Sequence, residues 1–176
     1  AGRAAKKWDQ FSVGPAARVA ASFIGRSLPE HYRPRYLQSP TVRVMPGPQV
    51  DYFTDDAVRR LTSGPYRVTT ESDRMGYRLE GTELPHRGSA EIVSEAVCVG
   101  SLQVPSNRQP ILLMADCQPT GGYAKLATMI SADRSLAAQL GPGDSLSFRM
   151  VSAQKASELF RSSRAELDRI LPPCCS

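Results

Sequence analysis

The chain has 176 residues, of which 41% are apolar and 22% are charged, a composition typical of a globular protein that buries one full core. No run approaches the roughly 18 apolar residues that cross a bilayer, and no signal-peptide pattern follows the basic start, so we expect a cytoplasmic protein with no membrane role. The net charge of +5 lies entirely in residues 1–36, which argues against specific nucleic-acid binding by the neutral remainder.

The first 40 residues are rich in Ala, Arg, Pro and Ser and show no sustained hydrophobic period. We interpret residues 1–40 as a lead-in and linker. The folded body begins with an alternating strand at Thr41–Met45, which Pro46 stops. Thr54 is expected to cap a short helix that begins with two aspartates and ends before Gly64.

Six further short strands are expected in the body, with turn residues such as Gly121-Gly122 between them. These strands are Tyr66–Thr70, Gly76–Leu79, Val97–Val104, Ile111–Ala115, Lys125–Ile130 and Ser145–Val151. Ser131 is expected to cap a second short helix, Asp133–Leu140. Many short strands with two short helices predict an all-β domain over residues 41–151, in the form of a closed or nearly closed β-barrel.

The last segment, residues 152–176, is predicted to form a helix and a tail. The helix spans Ser152–Ile170, and two prolines end it. Its apolar and small side chains fall near one face, namely Ala156, Leu159, Phe160, Ser163, Leu167 and Ile170. We expect this face to pack on the barrel, and the alternative is a helix that binds a partner.

The segment Ser72–Gly81 places charged side chains beside glycine and a short strand. Asp73, next to a cation, is expected to stay ionised, so it can accept a proton or orient a nucleophile. Arg74 and Arg78 can each hold a carboxylate or phosphate through parallel hydrogen bonds. The alternative is a set of ion pairs that lock a turn.

Two other polar side chains stand out against apolar surroundings. His86 precedes a cation, Arg87, which favours the neutral imidazole and a role as donor or base; a structural histidine is the alternative. Gln103 lies within an otherwise apolar strand, and a buried amide needs partners. A ligand group or an ordinary core hydrogen bond can supply them.

The segment Met114–Lys125 delivers Asp116 from an apolar strand, followed by Gln118 and a glycine pair. The exposed amides of Gly121 and Gly122 are expected to bind an anion, although a simple hairpin turn is the alternative. The spacing is not that of a phosphate-binding Walker loop. Four cysteines without CxxC spacing predict no metal site.

Three motifs together resemble one family. They are Ser-Asp-Arg-Met-Gly at residues 72–76, Pro-His-Arg-Gly at 85–88 and Thr-Gly-Gly-Tyr at 120–123. The sequence from about residue 42 to 151 resembles allophanate hydrolase subunit 2, also called biotin-dependent carboxyltransferase-like proteins. That family includes the third subunit of bacterial ATP-dependent 5-oxoprolinase. The chain departs from it where Cys117 replaces a usual basic residue and Pro119 a threonine.

The resemblance implies a cyclophilin-like barrel, normally one of two in each chain. The first barrel is not found in this sequence, so we interpret the chain as a truncated, split or degenerate member. Residues 8–14 are interpreted as a remnant of the preceding barrel's last strand. Association through an exposed apolar patch, with another copy or with a partner subunit, is expected.

The resemblance also implies a function: a subunit or fragment of an ATP-dependent amide or lactam hydrolase of the 5-oxoprolinase type. ATP would bind with a partner that resembles subunit 1 of allophanate hydrolase (the KipI type), and the substrate would be a small amide or lactam. Alternatives are a KipA-like regulatory binding module and a urea-type biotin-dependent carboxyltransferase. The last would need biotin on another chain, because no Met-Lys-Met attachment sequence occurs here.

The site residues that the resemblance implies fall into two groups. The catalytic group, for acid–base chemistry and for holding an anion, comprises Asp73, His86, Asp116 and Lys125. The group expected to bind the substrate or an anion comprises Arg74, Arg78, Gln103, Gln118, Gly121, Gly122 and Tyr123.

Overall fold

The computed structural model describes residues 5–12, 14, 24–25, 27 and 29–170. The chain divides into two units, residues 1–34 and 35–176. In the described part of the first unit a 3-10 turn spans Glu30–Tyr32, and residues 5–12 contain a turn and irregular backbone but no strand. Part of the predicted lead-in, including Val13 of the interpreted strand remnant, and the tail 171–176 lie outside the described residues.

The second unit contains nine strands and three α-helices among its described residues. The strands are β1 Thr41–Pro46, β2 Pro65–Val68, β3 Gly76–Glu80, β4 Glu91–Ala96, β5 Ser101–Gln103, β6 Ile111–Leu113, β7 Thr120–Tyr123, β8 Lys125–Met129 and β9 Ser145–Met150. The helices are α1 Ala57–Leu61, α2 Arg134–Ala137 and α3 Ala153–Ile170, and 3-10 turns cover Val50–Tyr52 and Ser131–Asp133.

Seven of the strands close into a barrel in the order β1–β8–β5–β6–β3–β2–β9. The last strand, β9, pairs in parallel with β1 and antiparallel with β2, so it fills the gap between them. Side chains alternate along each strand, and one set, including Leu102, Leu112 and Leu126, is fully buried in the common core. The predicted all-β class and closed barrel are therefore confirmed.

A second, smaller sheet consists of β4 and β7 alone, paired antiparallel with Glu95 opposite Gly121. We call this two-stranded sheet the cover sheet. The prediction of a turn at Gly121-Gly122 was wrong, because both glycines lie within β7. Strand β4 was not predicted, since its side chains are almost all exposed and carry no alternating apolar signal.

The helices begin close to their predicted caps. Helix α1 begins at Ala57 rather than directly after Thr54, whose hydroxyl donates to Asp56 Oδ1 over 2.7 Å. Helix α3 begins at Ala153, one residue after the predicted start, and Ser152 Oγ accepts a hydrogen bond from the backbone N–H of Lys155 over 3.2 Å.

The predicted packing of the apolar face of α3 holds only for its first turns. Ala156 is 9% exposed, whereas Phe160 and Leu167 are 53% and 48% exposed. The first turns lie against the 3-10 turn at Ser131–Asp133. The later apolar side chains therefore extend beyond the surface that the barrel offers them.

Candidate functional site

A pocket of about 340 Å³ lies on the outer wall of the barrel, beside the cover sheet. Strands β3, β5 and β6 form its floor, and β7 with the segment before it forms one side. Its polar and charged lining residues are Glu71, Asp73, Arg78, Gln103, Asn107, Gln118 and Tyr123. Five of these seven were predicted from the sequence as site residues, and Glu71 and Asn107 were not.

The alternation of side chains explains why this pocket lies outside the barrel. In β6, Leu112 belongs to the buried core, while its neighbours Ile111 and Leu113 line the pocket. In β5, Leu102 faces inward and Gln103 faces the pocket. The site is thus built on the reverse side of the strands that carry the core.

Asp73 is held in a turn at the start of β3. Its Oδ1 accepts hydrogen bonds from the backbone N–H groups of Met75 and Gly76, over 2.8 and 3.2 Å. In the described part of the chain, its Oδ2 accepts none. One oxygen therefore shapes the turn, while the other is available to a ligand at the pocket.

The two arginines of this segment have different surroundings. Arg74 pairs with Asp116 through two contacts, Nε–Oδ2 at 2.9 Å and Nη2–Oδ1 at 3.2 Å, and does not line the pocket. This is not the set of ion pairs within Ser72–Gly81 that the sequence left open as an alternative, because the partner of Arg74 is Asp116, 42 residues further along the chain. Arg78 lines the pocket and lies 3.8 Å from Glu71, a loose contact that leaves its guanidinium able to bind an anion.

His86 lies away from this pocket. Its Nε2 is 3.0 Å from the carbonyl oxygen of Val104, and its ring packs on Phe53 with centroids 4.6 Å apart. Burial lowers the pKa of His86, and the contact with Val104 only partly offsets this. The surroundings are those of a neutral structural histidine that ties two loops together.

Lys125 connects the barrel wall to the cover sheet. Its side chain is only 4% exposed, and its Nζ forms an ion pair with Glu95 of β4. Glu95 also accepts a hydrogen bond from Gln49 Nε2 over 2.6 Å. These two bonds, first that from Lys125, lower the pKa of Glu95. Gln49 was missed as a site-adjacent residue, because it lies in the loop after β1 and belongs to none of the motifs.

Gln103 is the most unusual side chain of the pocket. It is 2% exposed, and its Nε2 has no hydrogen-bond partner among the described residues. A Cβ at Gly121 would lie 2.5 Å from that nitrogen, so any other residue at position 121 would require the Gln103 amide to shift. Cys117, which replaces the basic residue usual in the family, is half-buried, and its backbone N–H donates a hydrogen bond to the carbonyl oxygen of Met114.

The charges of the pocket decide what it can hold. Two carboxylates, Glu71 and Asp73, face a single guanidinium, that of Arg78. This balance does not fit the triphosphate of ATP, which needs several cationic or amide donors. Gly121 and Gly122 belong to a paired strand rather than to an open anion-binding loop.

Two further findings concern the described residues only. Within ranges 5–12 and 29–170 and the few residues between, no group of three or more His, Cys, Asp or Glu side chains is placed to hold a metal ion. Over the same part of the chain, no helix combines the length and apolar character needed to cross a membrane.

The barrel and its sequence define a carboxyltransferase-type protein. The chain belongs to the family described as carboxyltransferase domain, subdomain A and B, whose model matches residues 1–150. It is 39% identical over 129 residues to the C subunit of 5-oxoprolinase from Haemophilus influenzae, covering 73% of this chain and 42% of that protein. It is 33% identical over 155 residues to the corresponding C subunit from Escherichia coli K12, covering 88% and 48%. The chain thus spans less than half the length of these relatives.

Two solved structures share the fold. The protein TTHA0988 is 36% identical and superimposes with a TM-score of 0.61, over 70% of this chain and 23% of that one. The urea amidolyase of Kluyveromyces lactis gives a TM-score of 0.71 over 78% of this chain and 9% of its own, at 21% identity. The second likeness shows the fold alone.

Proposed function

We propose that the chain is a subunit or fragment of an ATP-dependent amide or lactam hydrolase of the 5-oxoprolinase type. The single observation that carries the proposal is the pocket on the outer barrel wall, where Asp73, Arg78 and Gln103 meet. Two relatives that are C subunits of 5-oxoprolinase support it, and a subunit assembles with further chains. In the proposal, the partner is a subunit 1-like protein.

The residues of the pocket suit a small polar substrate. Arg78 would hold an anionic group of the substrate, and the free oxygen of Asp73 would accept a proton. Arg74 and Asp116 neutralise each other and keep the Asp73 turn beside the pocket. Because the pocket does not fit a triphosphate, ATP binding is assigned to the partner protein and no step here passes through it.

Reconstitution with a subunit 1-like protein tests this function. The mixture should release glutamate from 5-oxoproline only when ATP is present. Asp73→Asn should lower the rate at least about a hundredfold, because it keeps the Oδ1 hydrogen bonds of the turn but removes the proton acceptor. Glu166→Gln, an exposed carboxylate on α3, is the matched control and should leave the rate unchanged.

Two outcomes would contradict the proposal differently. If the wild-type complex never turns over 5-oxoproline, the hydrolase function is wrong. If it does and Asp73→Asn is equally active, Asp73 serves only the turn.

A second candidate function is a urea-type carboxyltransferase domain. It is favoured by 26% identity over 187 residues, 99% of this chain, to a putative urea carboxylase of Emericella nidulans. Carboxyl transfer to urea from a separate biotin carrier, without lactam hydrolysis, would support it. A tight complex with subunit 1 that turns over neither substrate would instead support the KipA-like regulatory module.

A further inference from the structure

Gln103 has a donor that the folded chain does not use. Buried polar groups are nearly always hydrogen-bonded, yet the Nε2 of this 2% exposed residue has no partner in the described residues. Gln103 also lines the pocket, although less than 1 Å² of its Nε2 is exposed, so an acceptor atom must displace the covering atoms to reach it. Such a donor is satisfied when an acceptor atom of a ligand enters.

The position of the donor is tightly restricted. Gln103 lies opposite Lys125 of the neighbouring strand β8, whose side chain is fastened to Glu95. On the other side, the backbone of Gly121 leaves no room for even a methyl group beside Nε2. The amide is therefore confined by β7 on one side before any ligand arrives, which lowers the ordering cost of binding.

We propose that Gln103 determines specificity by donating a hydrogen bond from Nε2 to the carbonyl oxygen of a small amide or lactam. Arg78, which lines the same pocket, holds a carboxylate on the same molecule. A site built to pair a polar group rejects analogues that lack it, because its own buried group is then left unpaired. The ligand class is thus a small carboxylate that bears an amide carbonyl, and the assignment rests on the proposed function.

Binding to the full 176-residue chain tests the assignment with two probes. 5-Oxoproline carries the ring carbonyl, and proline has the same ring and carboxylate without it. We expect 5-oxoproline to bind more tightly and to shift the side-chain NH₂ resonances of Gln103, identified by their loss in Gln103→Glu. Gln103→Met should weaken binding of 5-oxoproline about tenfold and leave that of proline unchanged.

Glycine variants provide a matched pair. Gly121→Ala should weaken 5-oxoproline binding as Gln103→Met does, because the new methyl group displaces the amide. Gly64→Ala, where no atom lies within 4 Å of the added methyl group, should have little effect on binding. Equal affinity of wild type and Gln103→Met for 5-oxoproline, or no binding of either probe, would overturn the assignment.

A stability measurement separates specificity from an ordinary structural role. If Gln103 only served the fold, Gln103→Met would lower the melting temperature. Because the donor is unpaired in the free protein, we expect Gln103→Met to leave the melting temperature unchanged or to raise it. The proposed function fails separately. If the reconstituted complex does not hydrolyse 5-oxoproline but the chain still prefers 5-oxoproline over proline through Gln103, the hydrolase function is refuted and the role of Gln103 stands. If the complex hydrolyses 5-oxoproline and Gln103→Met prefers 5-oxoproline over proline as strongly as wild type does, the hydrolase function is supported and the role of Gln103 is refuted.

Discussion

The interior of the barrel and its outer wall beside the cover sheet are built from the same strands but follow different rules. Inside, Leu102, Leu112 and Leu126 are fully buried among other apolar side chains. On the reverse of those strands, Gln103 and Lys125 are also buried, at 2% and 3% exposure, yet they are polar. The interior supplies most of the stability, whereas a wall covered by a second layer can bury polar groups and form a site.

The largest expected effect is an exception to this contrast, because one polar pair outside the barrel core contributes to stability. Arg43 donates from its backbone N–H over 2.7 Å and from Nε over 2.9 Å to Asp133, which is fully buried. Arg43→Met leaves that carboxylate without its cation, and we expect a loss of about 4 kcal/mol of unfolding free energy. Urea unfolding measures it.

The control for this prediction is an exposed ion pair. Arg67 pairs with Glu80 with both side chains more than half exposed. Arg67→Met should change the stability little, as is usual for surface pairs. Equal losses in the two variants would show that burial of Asp133 is not the cause.

The next prediction uses two consecutive residues on opposite faces of β5. Leu102→Ala opens a cavity in the core and should cost about 3 kcal/mol. Gln103→Met, one residue further, should not reduce stability at all. Unfolding in denaturant compares them. A larger loss at position 103 than at 102 would mean that the outer wall, not the interior, dominates the stability.

A smaller effect depends on pH. Burial lowers the pKa of His86 below its ordinary 6.5, so the unfolded chain takes up the proton first. The stabilisation that neutral His86 contributes is complete above pH 6.5, and it is lost as the pH falls through the lowered pKa of the folded protein. His86→Gln should therefore reduce the drop in melting temperature between about pH 7.5 and 5.5.

The only other histidine, His31, gives the control. It is exposed, and His31→Gln should retain the wild-type dependence on pH. An unchanged dependence in His86→Gln would assign the drop to carboxylates instead.

The smallest effect concerns the attachment of the cover sheet. Hydrogen bonds from Lys125 and Gln49 lower the pKa of Glu95 below its ordinary 4.5. This attachment is therefore complete above that value and is lost as the pH falls through the lowered pKa. Hydrogen exchange of the β7 amides should accelerate in that range for wild type, whereas Glu95→Gln should exchange faster already at neutral pH. Identical exchange in the two proteins would contradict the attachment.

The barrel was predictable because its strands alternate. Leu102, Leu112 and Leu126 repeat an inward pattern that short strands require, so seven of the nine strands were expected close to their observed places. The cover sheet was not predictable in this way. Strand β4 has no buried face of its own, and Gly121-Gly122 has the composition of a turn.

The site was partly predictable, for a related reason. Motif resemblance identified Asp73, Arg78 and Gln103, which the fold brings to one pocket. It gave no means of separating them from His86, which lies against Phe53, or from Lys125, which pairs with Glu95. Those distinctions depend on contacts between segments far apart in the chain.

The place of β9 in the barrel has a consequence for how the protein is made. This strand, Ser145–Met150, fills the gap between β1 and β2, although it is synthesised last of the nine strands described. While the ribosome is still translating it, both of its neighbours present unpaired edges that other strands can join. Closure then requires contacts across the whole domain, which are slow to form. The nascent chain is most open to misassembly in the interval before this strand emerges.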